Sequence, residues 1–237
     1  MWYDVELPEL DEVPAEAATP AKKVIDQLQT RGTQLLSEMN EAFAGSLTTE
    51  SKNDKMAMSS TLSASDRAFI STILRSGTSS DKLSALILLS SSSPMHTMTY
   101  LNQLMSLTRK KSRDEAVRAI RAIVDWLKGG AGGAGTAGLP DRKLRWFAEQ
   151  PDLRKVVYAR ETGLKTNGKQ PGDEHILVWA FEDWLKKWYF ELLQAIEVSR
   201  PFLDGSVRRE WEVSSDFILS FFRRPYRMIH CLSSERK

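Results

Sequence analysis

Apolar residues recur at helical spacing through most of the chain. Ala116, Ile120, Ile123 and Leu127 stand 4, 3 and 4 positions apart, which places them on one face of a helix. Ser112-Arg113-Asp114-Glu115 opens that helix with a capping-box pattern, in which hydroxyl and carboxylate satisfy each other's backbone donors, and Gly129 closes it. Upstream, Phe69, Ile70, Ile73 and Leu74 form a stripe that begins after a Ser63 or Ser65 cap and stops at Gly77. Ser79 or Ser80 caps a helix carrying Leu83, Leu86, Ile87 and Leu89, and Met98, Leu101, Leu104 and Met105 mark another. These are four helices of about 12–16 residues with short links, hence antiparallel neighbours. No segment alternates apolar and polar residues as a strand does.

The second half reads in the same way. A short helix is expected from Pro140 to Gln150, with a further turn to Tyr158, and a long helix from about Asp173 to Ser199, roughly 40 Å at 1.5 Å per residue. The long helix has two apolar stripes, one through Ile176, Trp179, Ala180, Trp184, Trp188, Leu192 and Ile196, the other through Leu177, Phe181, Leu185, Tyr189 and Leu193. A helix apolar on several sides is covered by helices from more than one layer. Val24, Leu28, Leu35, Met39 and Phe43 predict one amphipathic helix near the start.

Glycine and proline punctuate this pattern. Six of the 13 glycines lie between Gly129 and Gly138, and Gly163, Gly168 and Gly172 follow. Glycine costs about 1 kcal/mol inside a helix, so both clusters read as connectors. Pro94, Pro140, Pro151, Pro171 and Pro201 fall between periodic segments. The fold class is therefore all-α. Helix pairs with short links describe an armadillo/HEAT-like α-solenoid of stacked antiparallel helices, with a compact helical bundle as the alternative, because no strict repeat of about 40 residues is present. The expected organisation is an acidic extended segment over 1–19, an amphipathic helix over 20–44, a Ser/Thr/Lys/Asn-rich linker over 45–64, and a helical-repeat domain over 65–237 with connectors at 129–139 and 161–172.

Composition narrows the classes of function. The 237 residues carry 33 basic and 31 acidic side chains, a net +2 that names no partner. No apolar run approaches the roughly 18 residues of a membrane helix, so no membrane association is expected. The start, Met1-Trp2-Tyr3-Asp4-Val5-Glu6, has neither the basic region nor the apolar core of a secretory signal. A single cysteine, Cys231, leaves no internal disulfide and fits a reducing compartment.

Beneath the neutral total lies a strong asymmetry. Residues 1–16 hold six carboxylates and no basic residue; with Pro8 and Pro14 such a stretch is either disordered or extended along a surface. From Arg109 to Lys155 twelve basic residues face six acidic ones. Arg109, Lys110, Lys111 and Arg113 fall at a helix–helix junction, where side chains splay outward and a helix amino terminus adds attraction for phosphate. With Arg142, Lys143 and Arg145 they are the candidate contacts to a nucleic-acid backbone; a solvated turn is the ordinary alternative. No stacking module or recognition helix supports base-specific readout.

Other motifs point away from catalysis. Gly130 to Gly135 satisfies the dinucleotide fingerprint G-x-G-x-x-G, but a helix precedes it where a strand is required. Gly163 to Gln170 approaches a phosphate-binding loop, yet Gln170 replaces the magnesium-binding hydroxyl and Pro171 follows where a helix should begin. His175 reads as a capping or packing residue. Glu182 and Asp183 with Lys186 and Lys187 have the i,i+4 spacing of helix-surface ion pairs. Trp184 and Trp188 share a helix face, ordinarily for packing, and otherwise as aromatic anchors for a partner. No enzyme, cofactor or metal site is expected.

Three strings carry a resemblance. Ser65-Asp66-Arg67-Ala68-Phe69-Ile70-Ser71 leads on to Ser76-Gly77-Thr78-Ser79-Ser80-Asp81-Lys82-Leu83-Ser84-Ala85-Leu86. Leu139-Pro140-Asp141-Arg142-Lys143-Leu144 and Phe181-Glu182-Asp183-Trp184-Leu185-Lys186-Lys187-Trp188-Tyr189-Phe190 complete the set. With Lys110-Lys111-Ser112-Arg113 between the first two, their order and spacing resembles the amino-terminal half of the nucleolar complex protein family, also called the CCAAT-binding-factor or CCAAT/enhancer-binding protein zeta family. The Trp2-Tyr3 start is also similar.

The match spans about residues 60–200. It implies a non-catalytic armadillo-like scaffold in the nucleus and nucleolus, acting in early assembly of the large ribosomal subunit and rRNA processing. The implied partners are pre-ribosomal RNA and pre-large-subunit particles, a second nucleolar complex protein as heterodimer, and other assembly factors. Trp2, Tyr3, Trp184 and Trp188 are the candidate partner contacts. The glycine run at 129–138 lengthens a loop the family keeps short, and residues 203–237 depart from its pattern. Family members are far longer, so the chain is expected to be a part that lacks the carboxy-terminal repeats. Rival readings are a protein–protein adaptor without RNA contact and a CCAAT-box transcription factor.

Overall fold

A computed structural model describes residues 6–10, 12–14, 19–48, 64–128, 144–162 and 171–199. Among them are seven α-helices: α1 (Lys22–Thr48), α2 (Ala64–Ser76), α3 (Ser79–Ser92), α4 (Met98–Thr108), α5 (Arg113–Lys128), α6 (Leu153–Glu161) and α7 (Asp173–Ser199). Two short 3-10 turns occupy Pro94–His96 and Phe147–Glu149, and no strand occurs among the described residues. The fold is all-helical. Both glycine motifs, at 130–135 and 163–170, lie outside the described residues.

Helices α2 to α5 pack as sequential neighbours, as their short links require. The most extensive contact, however, joins the first helix to the last, α1 against α7. It depends on a missing side chain. A Cβ on Gly32 would lie 2.7 Å from the Ala180 Cβ and 2.9 Å from the Ile176 carbonyl oxygen, so glycine lets the two backbones approach. Asn40, buried on α1, extends the tie: its amide donates to the carbonyls of Leu36 and Met95, and its oxygen accepts from the Met98 N–H at the start of α4.

The expected stripes are in the core. Ala116, Ile120, Ile123 and Leu127 of α5 are all buried, and α7 is buried on several sides, through its own Ile176, Phe181, Leu185, Tyr189, Leu192 and Ile196. Each such side chain contributes about 1.5–3 kcal/mol when removed from water. Phe69 differs from expectation: it is 66% exposed on α2, and Ile70 alone of that stripe is fully buried, with Ala85 and Leu89 in a smaller second cluster. The cap of α3 is Thr78, paired reciprocally with Asp81, not Ser79 or Ser80. Residues 144–150 are not an α-helix as expected but an extended entry and one 3-10 turn, for a reason given below.

Part of the acidic segment is visible. Residues 6–10 and 12–14 have no regular structure, Leu7 and Leu10 pack against the main core, and Glu12 reaches Lys155 at 3.8 Å. Gly172, with φ +78°, turns the chain into α7 against Val156, and Arg160 pairs with Asp173 and donates to the Pro171 carbonyl, joining α6 to the same corner.

His175 sits in the first turn of α7, 5% exposed and edge-on to Trp179, with no hydrogen-bond partner for Nδ1. Burial pushes its pKa below the usual 6.5, against the opposing pull of Asp152 and Glu174, and burial lowers His96 as well. Below pH 6.5 the unfolded chain therefore binds protons that the folded chain excludes, so stability falls as pH drops from 7 through that range. Thermal melts between pH 7.5 and 5.5 are expected to show this slope, and His175→Phe to flatten it.

Candidate nucleic-acid interface

The α4–α5 junction places four cations in five residues, and Arg109, Lys110, Lys111 and Arg113 are all exposed. Helix α4 ends at Thr108 and α5 begins at Arg113, so the backbone reverses direction here and the side chains spread outward. Carboxylates engage Arg109 and Lys110. Arg109 Nη2 lies 3.1 Å from Glu191 Oε2 of α7, and Lys110 Nζ lies 2.9 Å from Glu115 Oε2. Hydrogen bonds from Lys110 and then Ser79 hold the Glu115 carboxyl below its usual pKa. Exposed pairs of this kind are weak in water, weak enough for a phosphate to displace them.

The turn forms one wall of a groove of about 580 Å³. Arg109, Lys110, Lys111 and Arg113 line one side, and Gln194, Ala195 and Val198 of α7 the other. Val198 is strongly exposed. The groove thus combines a cationic rim with a small-residue apolar wall.

The remaining candidates divide. Arg142 and Lys143, like Trp2 and Tyr3, lie outside the described residues. Arg145 is exposed, and its backbone N–H donates to Glu182 Oε1 at 2.8 Å. Trp188 is in the core, 2% exposed and edge-on to Trp126; the ordinary packing reading holds for it, and it offers no surface to a partner. Trp184 is half-buried and stacks on Phe181.

The charges of the third string are corrected by the structure. Asp183 and Lys187 form the expected i,i+4 pair at 2.6 Å, but Glu182, Asp183 and Lys186 lie inside, 0%, 5% and 7% exposed. Glu182 accepts from the Arg145 N–H and, at 2.9 Å, from Gln150 Nε2. Asp183 accepts from the Phe147 N–H at 3.2 Å, from Gln29 Nε2 of α1 at 2.9 Å and from Lys187 Nζ at 2.6 Å. Lys186 donates to the Leu144 carbonyl at 3.0 Å and sits 4.4 Å from the centre of the Trp146 ring. Burial lowers its pKa, with Glu149, Glu182 and Asp183 acting the other way. This polar latch takes up the backbone N–H groups of Arg145 and Phe147, which is why that stretch is not helical. Sequence reasoning missed it because i,i+4 charges look the same on an outward or an inward face; their position among Phe181, Trp184 and Leu185 was the available signal.

Latching also stacks Trp146 on Phe190, ring centres 6.0 Å apart and planes 4° from parallel. Phe190 is the neighbour of Glu191, which holds Arg109, so α7 carries this aromatic pair and the basic turn on adjacent residues. Among the described residues no three of His, Cys, Asp and Glu converge on a metal position, and no helix is long and apolar enough to cross a membrane.

No family model matches the chain. Individual proteins do. An uncharacterised protein of Schizosaccharomyces pombe is 35% identical over 196 residues, 83% of this chain and 19% of that protein. Ribosome biogenesis protein NOC1 of Chaetomium thermophilum is 41% identical over 140 residues, 57% of this chain and 13% of that one. CCAAT/enhancer-binding protein zeta of Mus musculus is 26% identical over 202 residues, 83% and 16% of the two chains. The chain thus spans less than a fifth of the length of these relatives. Its homologues are those that the three strings anticipated, and they are consistent with a member of the nucleolar complex, or CCAAT-binding-factor, family.

Proposed function

We propose that the chain is part of a non-enzymatic scaffold in early assembly of the large ribosomal subunit, acting by binding in the nucleolus. Its likeness to a protein named for ribosome biogenesis supports that process. The contact to pre-ribosomal RNA is assigned to Arg109, Lys110, Lys111 and Arg113, and the observation that carries it is their joint exposure along one wall of an open groove. Helix α7 serves as the spine: buried on most sides, it fixes the turn through Glu191 and the 144–150 segment through Glu182 and Asp183. In the whole protein these helices are read as one end of an armadillo/HEAT-type array, with a second nucleolar complex protein and other assembly factors bound elsewhere along it.

The test is a salt series. Each phosphate neutralised by a cation releases counterions, so reversing all four charges is expected to weaken binding to precursor RNA and to flatten the slope of log K against log salt by about 3. Filter binding that gives the same affinity and slope for the variant and the parent would remove the RNA contact from this account.

A further inference from the structure

We propose, building on the RNA-contact reading, that Ser112 is a phosphorylation site for a kinase that selects basic sequences, and that its phosphate releases RNA from the basic turn. Of all the serines and threonines in the chain, Thr78 and Ser112 alone have an arginine three positions before them. Ahead of Ser112 stand Arg109, Lys110 and Lys111, and Arg113 follows. Kinases discriminate substrates by charge patterns of this kind, with carboxylates in the peptide groove pairing the cations that precede the hydroxyl.

Geometry distinguishes the two hydroxyls. That of Thr78 is taken up in the capping box of α3: it donates to Asp81 Oδ2 at 2.7 Å and accepts from the Asp81 N–H at 3.2 Å. Ser112 is exposed, in the non-helical link between α4 and α5. Glu115, the carboxylate expected to box with it, accepts instead from Ser79 at 2.8 Å and from Lys110 at 2.9 Å. Among the described residues no hydrogen bond holds the Ser112 hydroxyl.

In the transfer, Ser112 Oγ attacks the γ-phosphorus of a nucleoside triphosphate held by the kinase. The Oγ–P bond forms as the bond from that phosphorus to the β–γ bridging oxygen breaks. The hydroxyl proton passes to a carboxylate of the kinase, and the nucleoside diphosphate leaves. The product carries about −1.5 to −2 charges at pH 7 and three strong acceptor oxygens, which pair with neighbouring cations. Set among Arg109, Lys110, Lys111 and Arg113, it cancels about half of the positive charge that an RNA backbone meets there. Asp114 and Glu115 oppose it from the first turn of α5, but the four cations outnumber them. The Ser112 carbonyl accepts the Ala116 N–H at 3.0 Å, so the modified residue stays fixed at the start of α5 beside the cations.

The experiment installs phosphoserine at 112 in the full-length protein by genetic-code expansion and measures precursor RNA by filter binding across a salt series. Phosphoserine at Ser37, exposed on α1 and not part of the groove, controls for added charge alone, and circular dichroism melts establish that both forms are folded. Phosphate at 112 is expected to weaken binding about ten- to a hundredfold and to flatten the slope of log K against log salt by about 1.5. Phosphate at 37 should leave affinity within about twofold of the parent. In a second arm, a purified kinase of basic specificity and ATP should modify Ser112 of the folded protein, mapped by mass spectrometry. If the parent binds RNA and the form modified at 112 binds it equally well, or the form modified at 37 is weakened as much, the switch is wrong and the RNA reading stands. If the parent binds no RNA, that reading falls and takes the switch with it. A kinase that modifies a peptide spanning 106–117 at Ser112 yet leaves Ser112 of the folded protein untouched would overturn the site itself.

Discussion

Asp183→Ala is expected to lower stability by about 3–5 kcal/mol, the scale seen when one partner is removed from a buried charged network. The side chain is nearly inaccessible and accepts from three separate places: the Phe147 backbone, Gln29 on α1 and Lys187 one turn away. Hydrogen bonds to a charged group are worth about 1.5–3 kcal/mol each, and the buried Phe147 N–H would be left without its acceptor. Loss of the Lys187 contact matters least, because that ammonium is 55% exposed and returns to water. Urea denaturation gives the number, and limited proteolysis gives the location, since cleavage between Leu144 and Gln150 should rise before the helices yield. Asp183→Asn, which keeps the shape and an acceptor for Phe147, should cost far less. A loss below about 1 kcal/mol for the alanine variant would mean the segment is held by something other than this carboxylate.

At the α1–α7 crossing Gly32→Ala should destabilise by about 2 kcal/mol, although alanine gains about 1 kcal/mol in helix propensity over glycine. The added methyl meets Ala180 and Ile176 well inside van der Waals distance, and one of the contacts is a backbone oxygen that cannot rotate away. Gly32→Val should exceed 3 kcal/mol by the same overpacking. Gln29 and Gly32 share a face of α1, and Ile176, Ala180 and Asp183 share the facing side of α7, so the effects of Gly32→Ala and Asp183→Ala should not add. A thermal melt in which Gly32→Ala is as stable as the parent would show that α1 does not seat on α7 as described.

What the amino-acid pattern disclosed follows from the kind of force involved. Helices α5 and α7 were legible to within a residue or two, because burial at helical spacing and glycine or proline boundaries are local signals. The pairing of α1 with α7 was not, since Gly32 looks like any glycine in a helix until its neighbour on α7 is known. The 144–150 segment was misread for a similar reason. Leu144 and Phe147 have helical spacing, but the backbone donors there are claimed by Glu182 and Asp183 from across the chain. At the candidate interface the basic turn was plain from charge alone, whereas the opposite wall of its groove, Gln194, Ala195 and Val198 of α7, needed the packing of α7 to be known. Trp188 was open to two readings, and only its burial against Trp126 decides between them.

The resulting picture separates support from contact. Helix α7 spends its apolar sides and its buried carboxylates on holding α1, α5 and the latched segment in place, which leaves its exposed carboxy-terminal turns beside the cations. Ultraviolet crosslinking of RNA to the full-length protein within assembling particles, with the linked residues mapped by mass spectrometry, puts this to the test. Adducts are expected within 109–113. Particles that incorporate the protein yet yield no RNA adduct there, with the basic turn crosslinked to protein, would contradict it.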